Sequence, residues 1–228
     1  MTREVEPELL DELPPEDPRA MRSRRDLQRI HGWMGNVGTV ARLLGGVIGS
    51  AKHPRIVDLG AGDGTFMLQV ARRVARNAGE PRLLLVDRQP IVTSATRRGF
   101  AALAWDLEMV QADVFDWLAD APVADVAVAC LFLHHFVDEK LARLLGAISK
   151  RTENFMACEP RRCRLALTAG KMVGLIGCNA VTRHDAVVSV RAGFVGRELS
   201  ALWPGEERWR VEEREAGLFS HLFVAQRS

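Results

Sequence analysis

Apolar residues in this chain recur with two periods. From Arg55 onward, short runs rich in Ile, Val and Leu alternate with longer stretches in which apolar positions fall three or four residues apart, the spacings of buried strands and of amphipathic helices. The pattern predicts strands at Arg55 to Leu59, Leu83 to Val86 ending at Asp87, Leu107 to Gln111, Asp125 to Leu131, and Asn154 to Cys158 ending at Glu159 and Pro160. Between them it predicts a helix from Gly64 to about Asn77, one opened by Pro90 and closed by Gly99, a short one carrying Phe115, Trp117 and Leu118, and one capped by Asp138. Alternation of this kind argues a parallel sheet covered on both faces.

The ends of the chain break the rhythm. Leu27, Ile30 and Met34 share a helical face within Arg22 to Asn36, which Gly32 and Gly35 should interrupt or end, and an apolar run from Val37 through Ile48 closes at Gly49. After Pro160 a helical insertion is expected over Arg161 to Val181, then a helix from about Thr182 to Leu202, weakened by Gly193 and Gly196. Arg208 to Glu215 and Leu218 to Gln226 read as two strands joined by a turn at Ala216 and Gly217, an antiparallel hairpin.

One stretch organises the rest. Arg55 to Thr65 reads R-I-V-D-L-G-A-G-D-G-T, a strand ending in Asp58, then Gly60, Gly62 and Gly64, then a helix. Alternating glycines allow a tight turn with no Cβ in the way of a ligand, and the helix start offers unpaired N–H groups. The dinucleotide fingerprint G-x-G-x-x-G requires its third glycine three residues after the second; here it follows after two, and Thr occupies position 65. The pattern D-L-G-A-G-D-G-T resembles the first motif of class I S-adenosylmethionine-dependent methyltransferases. That resemblance implies a Rossmann-like α/β fold: a seven-stranded, mostly parallel sheet with helices on both faces, the C-terminal antiparallel hairpin and an N-terminal helical cap. It covers Arg55 to Glu159 well and the remainder loosely. The expected organisation is an acidic flexible arm (1–20) followed by a single domain (21–228), with 21–50 as cap, 51–160 as cofactor-binding half and 161–228 as acceptor-side half.

The resemblance also assigns roles at the carboxyl ends of the strands, where ligands lie in such sheets. S-adenosylmethionine is the expected cofactor. Asp58 and the loop of Gly60, Gly62 and Gly64 would face its methionine part, Asp87 with Arg88 beside it would meet the ribose hydroxyls, Asp113 and the Val114 amide the adenine, and the Leu131 carbonyl the ammonium. Asp87 and Asp113 also suit a helix cap or an exposed turn. His31, Trp33 and Met34 are candidates for the acceptor pocket, or for plain packing on the sheet.

Methyl transfer is an in-line displacement, so the protein mainly positions the acceptor and excludes water; a base helps only when the nucleophile starts protonated. His134 and His135 follow strand four and are candidates for that base, or else orient the backbone, since L-H-H-F recurs in methyltransferases with different acceptors. His184 is a third candidate, although its neighbour Asp185 should not face it on a helix. A nucleic-acid amino group is argued against because Leu131 to Phe136 replaces the usual Asn or Asp-Pro-Pro-aromatic segment. Glu159 alone cannot build an octahedral oxygen site, so no metal is expected. Similarity of R-R-D-L-Q-R-I-H-G-W-M-G-N and T-R-H-D-A-V-V-S-V-R-A-G-F to bacterial methyltransferases of polyketide and phenolic-lipid pathways implies oxygen methylation of a phenolic or quinone-like small molecule.

Composition narrows the rest. With 228 residues and a net charge of +2, one domain and no nucleic-acid partner are expected. The leader, Met1 to Arg19, carries seven acids against Arg3 and Arg19 and reads as a solvated or loosely docked arm, without the basic start and apolar centre of a signal peptide. Leu165 to Val181 is too short and polar for a membrane span, and Cys130, Cys158, Cys163 and Cys178 form no C-x-x-C pair, so reduced structural thiols in the cytoplasm are expected. Oligomeric state is left open. Two other readings stand beside this one: an NAD-dependent oxidoreductase, to which Asp87 is equally suited although the chain lacks tyrosine, and a non-catalytic S-adenosylmethionine-binding protein.

Overall fold

The computed structural model of the chain describes residues 1–49, 51–74 and 79–228. Its N-terminal helices are α1 (Leu9–Glu12), α2 (Pro18–Met34) and α3 (Asn36–Ile48). The alternating part runs β1 (Arg55–Leu59), α4 (Thr65–Val74), β2 (Arg82–Asp87), α5 (Ser94–Ala101), β3 (Asp106–Gln111), α6 (Val114–Asp120), β4 (Val126–Cys130), α7 (Asp138–Arg151) and β5 (Asn154–Pro160). Then come α8 (Arg164–Met172), α9 (Ala180–Ala192), β6 (Trp209–Ala216) and β7 (Ser220–Arg227).

The strands form one sheet in the order β3-β2-β1-β4-β5-β7-β6, with β7 antiparallel to β5 and to β6 and the rest parallel. Because successive strand residues point to opposite faces, the buried runs feed two separate cores. Ile56, Leu83, Leu85, Val126 and Met156 meet α3, α4 and α5 on one side; Val57, Leu59, Leu84, Ala127 and Phe155 meet α6, α7 and Trp203 on the other. Strand order reverses between β1 and β4, which opens a crevice at their carboxyl ends. Among the described residues, no helix is long and apolar enough to cross a membrane.

Several element boundaries differ from the sequence reading, each for a reason of packing. Asn77, the expected end of the helix after the glycine loop, lies outside the described residues. Pro90 does not open a helix: α5 begins at Ser94 behind an N-cap at Thr93, whose side chain accepts from the Thr96 amide. Gly99 does not close it either; it sits inside α5, where a Cβ would meet Leu68 of α4 at 2.6 Å, so its small size serves helix packing. Asp138 is the first residue of α7 and not its cap, because its carboxylate is drawn to Arg3 at 2.7 Å. The late helix stops at Ala192, ten residues before the expected Leu202: a Cβ on Gly193 would meet the Pro160 carbonyl at 2.2 Å, and Phe194 donates its amide to that same oxygen.

The expected cap divides in two. Val37, Val40, Ala41, Leu44 and Ile48 of α3 are buried in the first core, so α3 is a structural layer. Helix α2 alone reaches the crevice, tethered to α9 by a buried network in which Asp26 accepts from the Asn179 amide (2.8 Å) and the Thr182 hydroxyl (3.3 Å). The leader, expected as a solvated or loosely docked arm, is docked at a few points and otherwise exposed. Arg3 donates to the carbonyls of Ala192 (2.8 Å) and Phe136 (2.8 Å) and lies over the Phe194 ring, while Asp185 accepts from the amides of Leu9 (2.9 Å) and Leu10 (3.0 Å). Buried carboxylate and guanidinium groups find partners in this way, which an acidic composition does not reveal.

Candidate active site

The crevice is a cavity of about 950 Å³, within the range of small-molecule sites. Its floor is the turn after β1. Gly60, Gly62 and Gly64 all have positive φ, and at Gly60 the need is strict: φ is +71° and a Cβ would overlap the Phe132 ring at 2.2 Å. The loop is tied down from the neighbouring strand, since Asp87 Oδ2 accepts from the Gly62 amide (2.8 Å) and Asp87 Oδ1 from the Gln89 amide (2.8 Å). Asp63, which sequence reasoning passed over, caps α4 by accepting from the Thr65 amide (3.0 Å) and binds Gln28 of α2 (3.0 Å), joining the loop to the helix above it.

Asp58 is buried at the end of β1. Burial first, and the charge of Asp87 second, raise its carboxyl to about 8, so at neutral pH it holds a proton until a cation arrives. His31, on α2 opposite Phe66, is the complementary case: burial lowers its imidazole to about 4, and its buried Nδ1 has no hydrogen-bond partner among the described residues. A polar ligand with donors and a positive charge fits these two groups. Asp113 serves as the N-cap of α6, accepting from the Phe115 amide at 2.9 Å, and still lines the cavity. Asp87, Arg88, Val114 and Leu131 line it as well.

Past β4 the backbone is bent by an unusual residue. Leu131 has φ +52°, and the turn it starts is held by Glu159, which is fully buried and accepts from the amides of Phe132 (3.0 Å), Leu133 (3.0 Å) and His134 (3.3 Å). Glu159 also binds His134 Nδ1 at 2.7 Å, while His134 Nε2 meets Glu8 of the leader at 3.2 Å. Burial works against a charged imidazole there, but the hydrogen bonds to Glu159 and Glu8 outweigh it and raise His134 to about 9. The same contacts hold Glu8 below the usual carboxylate range despite its burial. With both nitrogens engaged, His134 is not a free base, which corrects the sequence expectation for this residue. His135 Nδ1 bonds the Phe132 carbonyl at 2.9 Å, and its Nε2 faces Glu8 (3.5 Å) and Asp11 (3.6 Å). Glu8, His134 and His135 are brought close enough for one ligand atom of each to lie within 4.8 Å of the others.

Four candidates lie elsewhere. Trp33 is 69% exposed, and neither it nor Met34 lines the cavity, because α2 turns its Arg24, Leu27, Gln28 and His31 face inward. His184 is half-exposed outside the cavity, and its Nδ1 does reach Asp185, at 3.0 Å, contrary to the expectation that helical neighbours stay apart. Gly64 shapes the loop without lining the cavity; a Cβ there would meet Leu85 at 2.8 Å. The four cysteines are free thiols; Cys130 lines the cavity, its thiol pushed up by burial.

The sheet order with its antiparallel β7, the glycine turn after β1 and acids at the ends of β1 and β2 make a class I methyltransferase fold. Residues 56–154 match the family described as "Methyltransferase domain". None of the curated proteins matches the chain. Among solved structures, it is similar to an O-methyltransferase family protein from Burkholderia thailandensis (20% identity, TM-score 0.63, covering 93% of this chain and 61% of that one). It is also similar to the plantazolicin methyltransferase BpumL (11%, 0.66, covering 93% and 92%) and to magnesium protoporphyrin IX methyltransferase from Synechocystis PCC 6803 (14%, 0.56, covering 86% and 84%). The chain thus spans about three-fifths of the first of these proteins and nearly all of the second. At such identities the likeness is one of fold.

Proposed function

We propose that the chain binds S-adenosylmethionine along the β1–β4 crevice and transfers its methyl group to a hydroxyl of a phenolic, polyketide or quinone-like small molecule. The observation that carries the reading is the convergence of Asp58, the glycine loop, Asp87 and Asp113 on one cavity. Each carboxylate oxygen of Asp87 accepts one backbone amide and keeps a further lone pair, enough for the two ribose hydroxyls. The bound cofactor supplies a methyl carbon activated by a sulfonium. Asp58 accepts its ammonium, with the Leu131 carbonyl beside it, and the first amide of α6 at Val114 faces the adenine edge. The apolar rings of Phe132 and Phe136 and the leader residues Leu10 and Glu8 wall the acceptor side, hold the acceptor in line and keep water out. The relatives of similar fold include proteins described as O-methyltransferases and two in complex with S-adenosylhomocysteine, which supports the reading.

Calorimetric titration with S-adenosylmethionine, S-adenosylhomocysteine and NAD tests it. The two adenosyl ligands should bind and NAD should not, and Asp87→Ala should weaken adenosyl binding by at least ~10-fold, the loss of about 1.4 kcal/mol expected for a charge-assisted hydrogen bond. Binding of NAD alone would send the search to reductases. With binding established, mass spectrometry of phenolic acceptors identifies the methylated atom.

A further inference from the structure

Two histidine nitrogens and two leader carboxylates meet at the acceptor end of the cavity in a way that methyl transfer alone does not require. The imidazoles of His134 and His135 lie with ring centres 4.3 Å apart, and both point Nε2 toward Glu8. Each ring is fixed from behind at Nδ1, His134 by the Glu159 carboxylate at 2.7 Å and His135 by the Phe132 carbonyl at 2.9 Å. A carboxylate or a backbone carbonyl on the far nitrogen is the outer support that metal-ligating histidines use, because it sets the tautomer and aims the lone pair.

The distances fit as well. Ligand bonds of ~2.0–2.2 Å place neighbouring ligand atoms roughly 3–3.6 Å apart. Glu8 Oε1 lies 3.2 Å from His134 Nε2, Glu8 Oε2 lies 3.5 Å from His135 Nε2, and Asp11 Oδ2 lies 3.6 Å from the same nitrogen. His135 Nε2 supplies the second observation. This atom is shielded from solvent and makes no well-formed hydrogen bond among the described residues, while two carboxylates stand at ion-pair distance. Both Nε2 atoms face Glu8, that of His134 in a hydrogen bond and that of His135 at ion-pair distance, so an ion entering between them would take the place of their protons.

We infer that Glu8, His134 and His135, with Asp11 at the rim, form a site for a divalent first-row transition ion, zinc in preference to magnesium. Two imidazoles and a carboxylate are the donor set of such ions, whereas magnesium takes oxygen. Glu159 is then a positioning residue, which answers the sequence argument that it could not build a metal site: it holds a ligand and is not one. Because all four residues line the cavity, an ion held by them would supply Lewis-acid activation to an acceptor oxygen bound there. There the hydroxyl proton leaves to solvent, the oxygen lone pair forms the bond to the methyl carbon, and the carbon–sulfur bond breaks with its electron pair staying on sulfur. That role rests on the methyl-transfer reading; the metal affinity does not.

The test is direct. The full chain, stripped with a chelator and dialysed, is titrated with Co²⁺ while its visible absorption is followed, then with Zn²⁺ to displace the cobalt. One equivalent should bind, with d–d bands that zinc abolishes. Glu8→Ala and His135→Ala should each weaken binding by at least ~10-fold, and Glu159→Gln by roughly 10–100-fold without removing a ligand. His53→Ala, on the exposed surface, should bind as the parent does. The titration of the parent decides even if a variant fails to fold: no cobalt bound, or binding equal in parent and Glu8→Ala, overturns the site. Retained S-adenosylhomocysteine binding without cobalt binding would sink the metal site alone, and the converse would sink the methyl-transfer reading alone.

Discussion

Leu131 shows how a single residue shapes the site. A non-glycine residue at φ +52° costs on the order of 1 kcal/mol or more, and it persists here because its amide donates to the Cys158 carbonyl while the next three amides converge on Glu159. The turn that results swings His134 and His135 toward the leader. Asp58 carries a consequence for pH. Its folded-state value of about 8 lies above the usual 3.8, so from about pH 4 to about pH 8 the folded chain keeps a proton that the unfolded chain has lost. This group's contribution to stability is therefore full at acid pH and falls as the pH rises through that window. Denaturant midpoints of the ligand-free protein should decline from pH 5 to pH 8 by less in Asp58→Asn than in the parent. A cationic ligand draws the proton off, so calorimetry at pH 7 in two buffers of unequal ionisation enthalpy should report proton release in the parent and none in Asp58→Asn. Acids at strand ends were readable as Asp58, Asp87 and Asp113 because they follow apolar runs. Asp63 had the same local signal, an acid two residues before the helix amide it caps, and was legible in principle.

At the scale of elements, the instructive case is α3. Its apolar stripe continues the first core, and the alternation of strand residues leaves a face for it to cover. Leu44→Ala should therefore cost ~2–5 kcal/mol, read from denaturant unfolding, and should leave the affinity for S-adenosylhomocysteine at neutral pH within about twofold when the protein is folded. A cap helix would give the opposite result, a small loss of stability and a large loss of affinity. The strands and the central helices were legible because their periods of 2 and 3.6 are written locally. The ends of α5 and α9 were not: Gly99 and Gly193 answer to Leu68 and to the Pro160 carbonyl, partners on other elements.

For the whole molecule, the leader decides how the site is closed. Arg3 is bonded to α7 and α9 at once, the Met1 carbonyl accepts from the buried Arg162 at 2.9 Å, and Glu8 binds both His134 and Ser189. Removing residues 1–12 should leave a folded domain that still binds S-adenosylhomocysteine, since Asp58, Asp87 and Asp113 are untouched. It should lower methyl transfer by at least ~100-fold, because the acceptor wall and the Glu8 contact to His134 go together, an effect that calorimetry and single-turnover assays would separate. Adding the peptide back should not be needed for cofactor binding.

By itself the sequence determined the α/β alternation, the terminal hairpin, the glycine turn and the acids at the strand ends, since each rests on residues within a few positions of one another. Only the tertiary structure decided that the acidic leader folds back, that α3 is core while α2 roofs the crevice, and that Trp33 and His184 stay outside it. It also decided that Glu8 meets His134 across 126 positions of chain. A buried contact between polar side chains so far apart has no periodic signature; it is selected by the partners that desolvation forces each group to find.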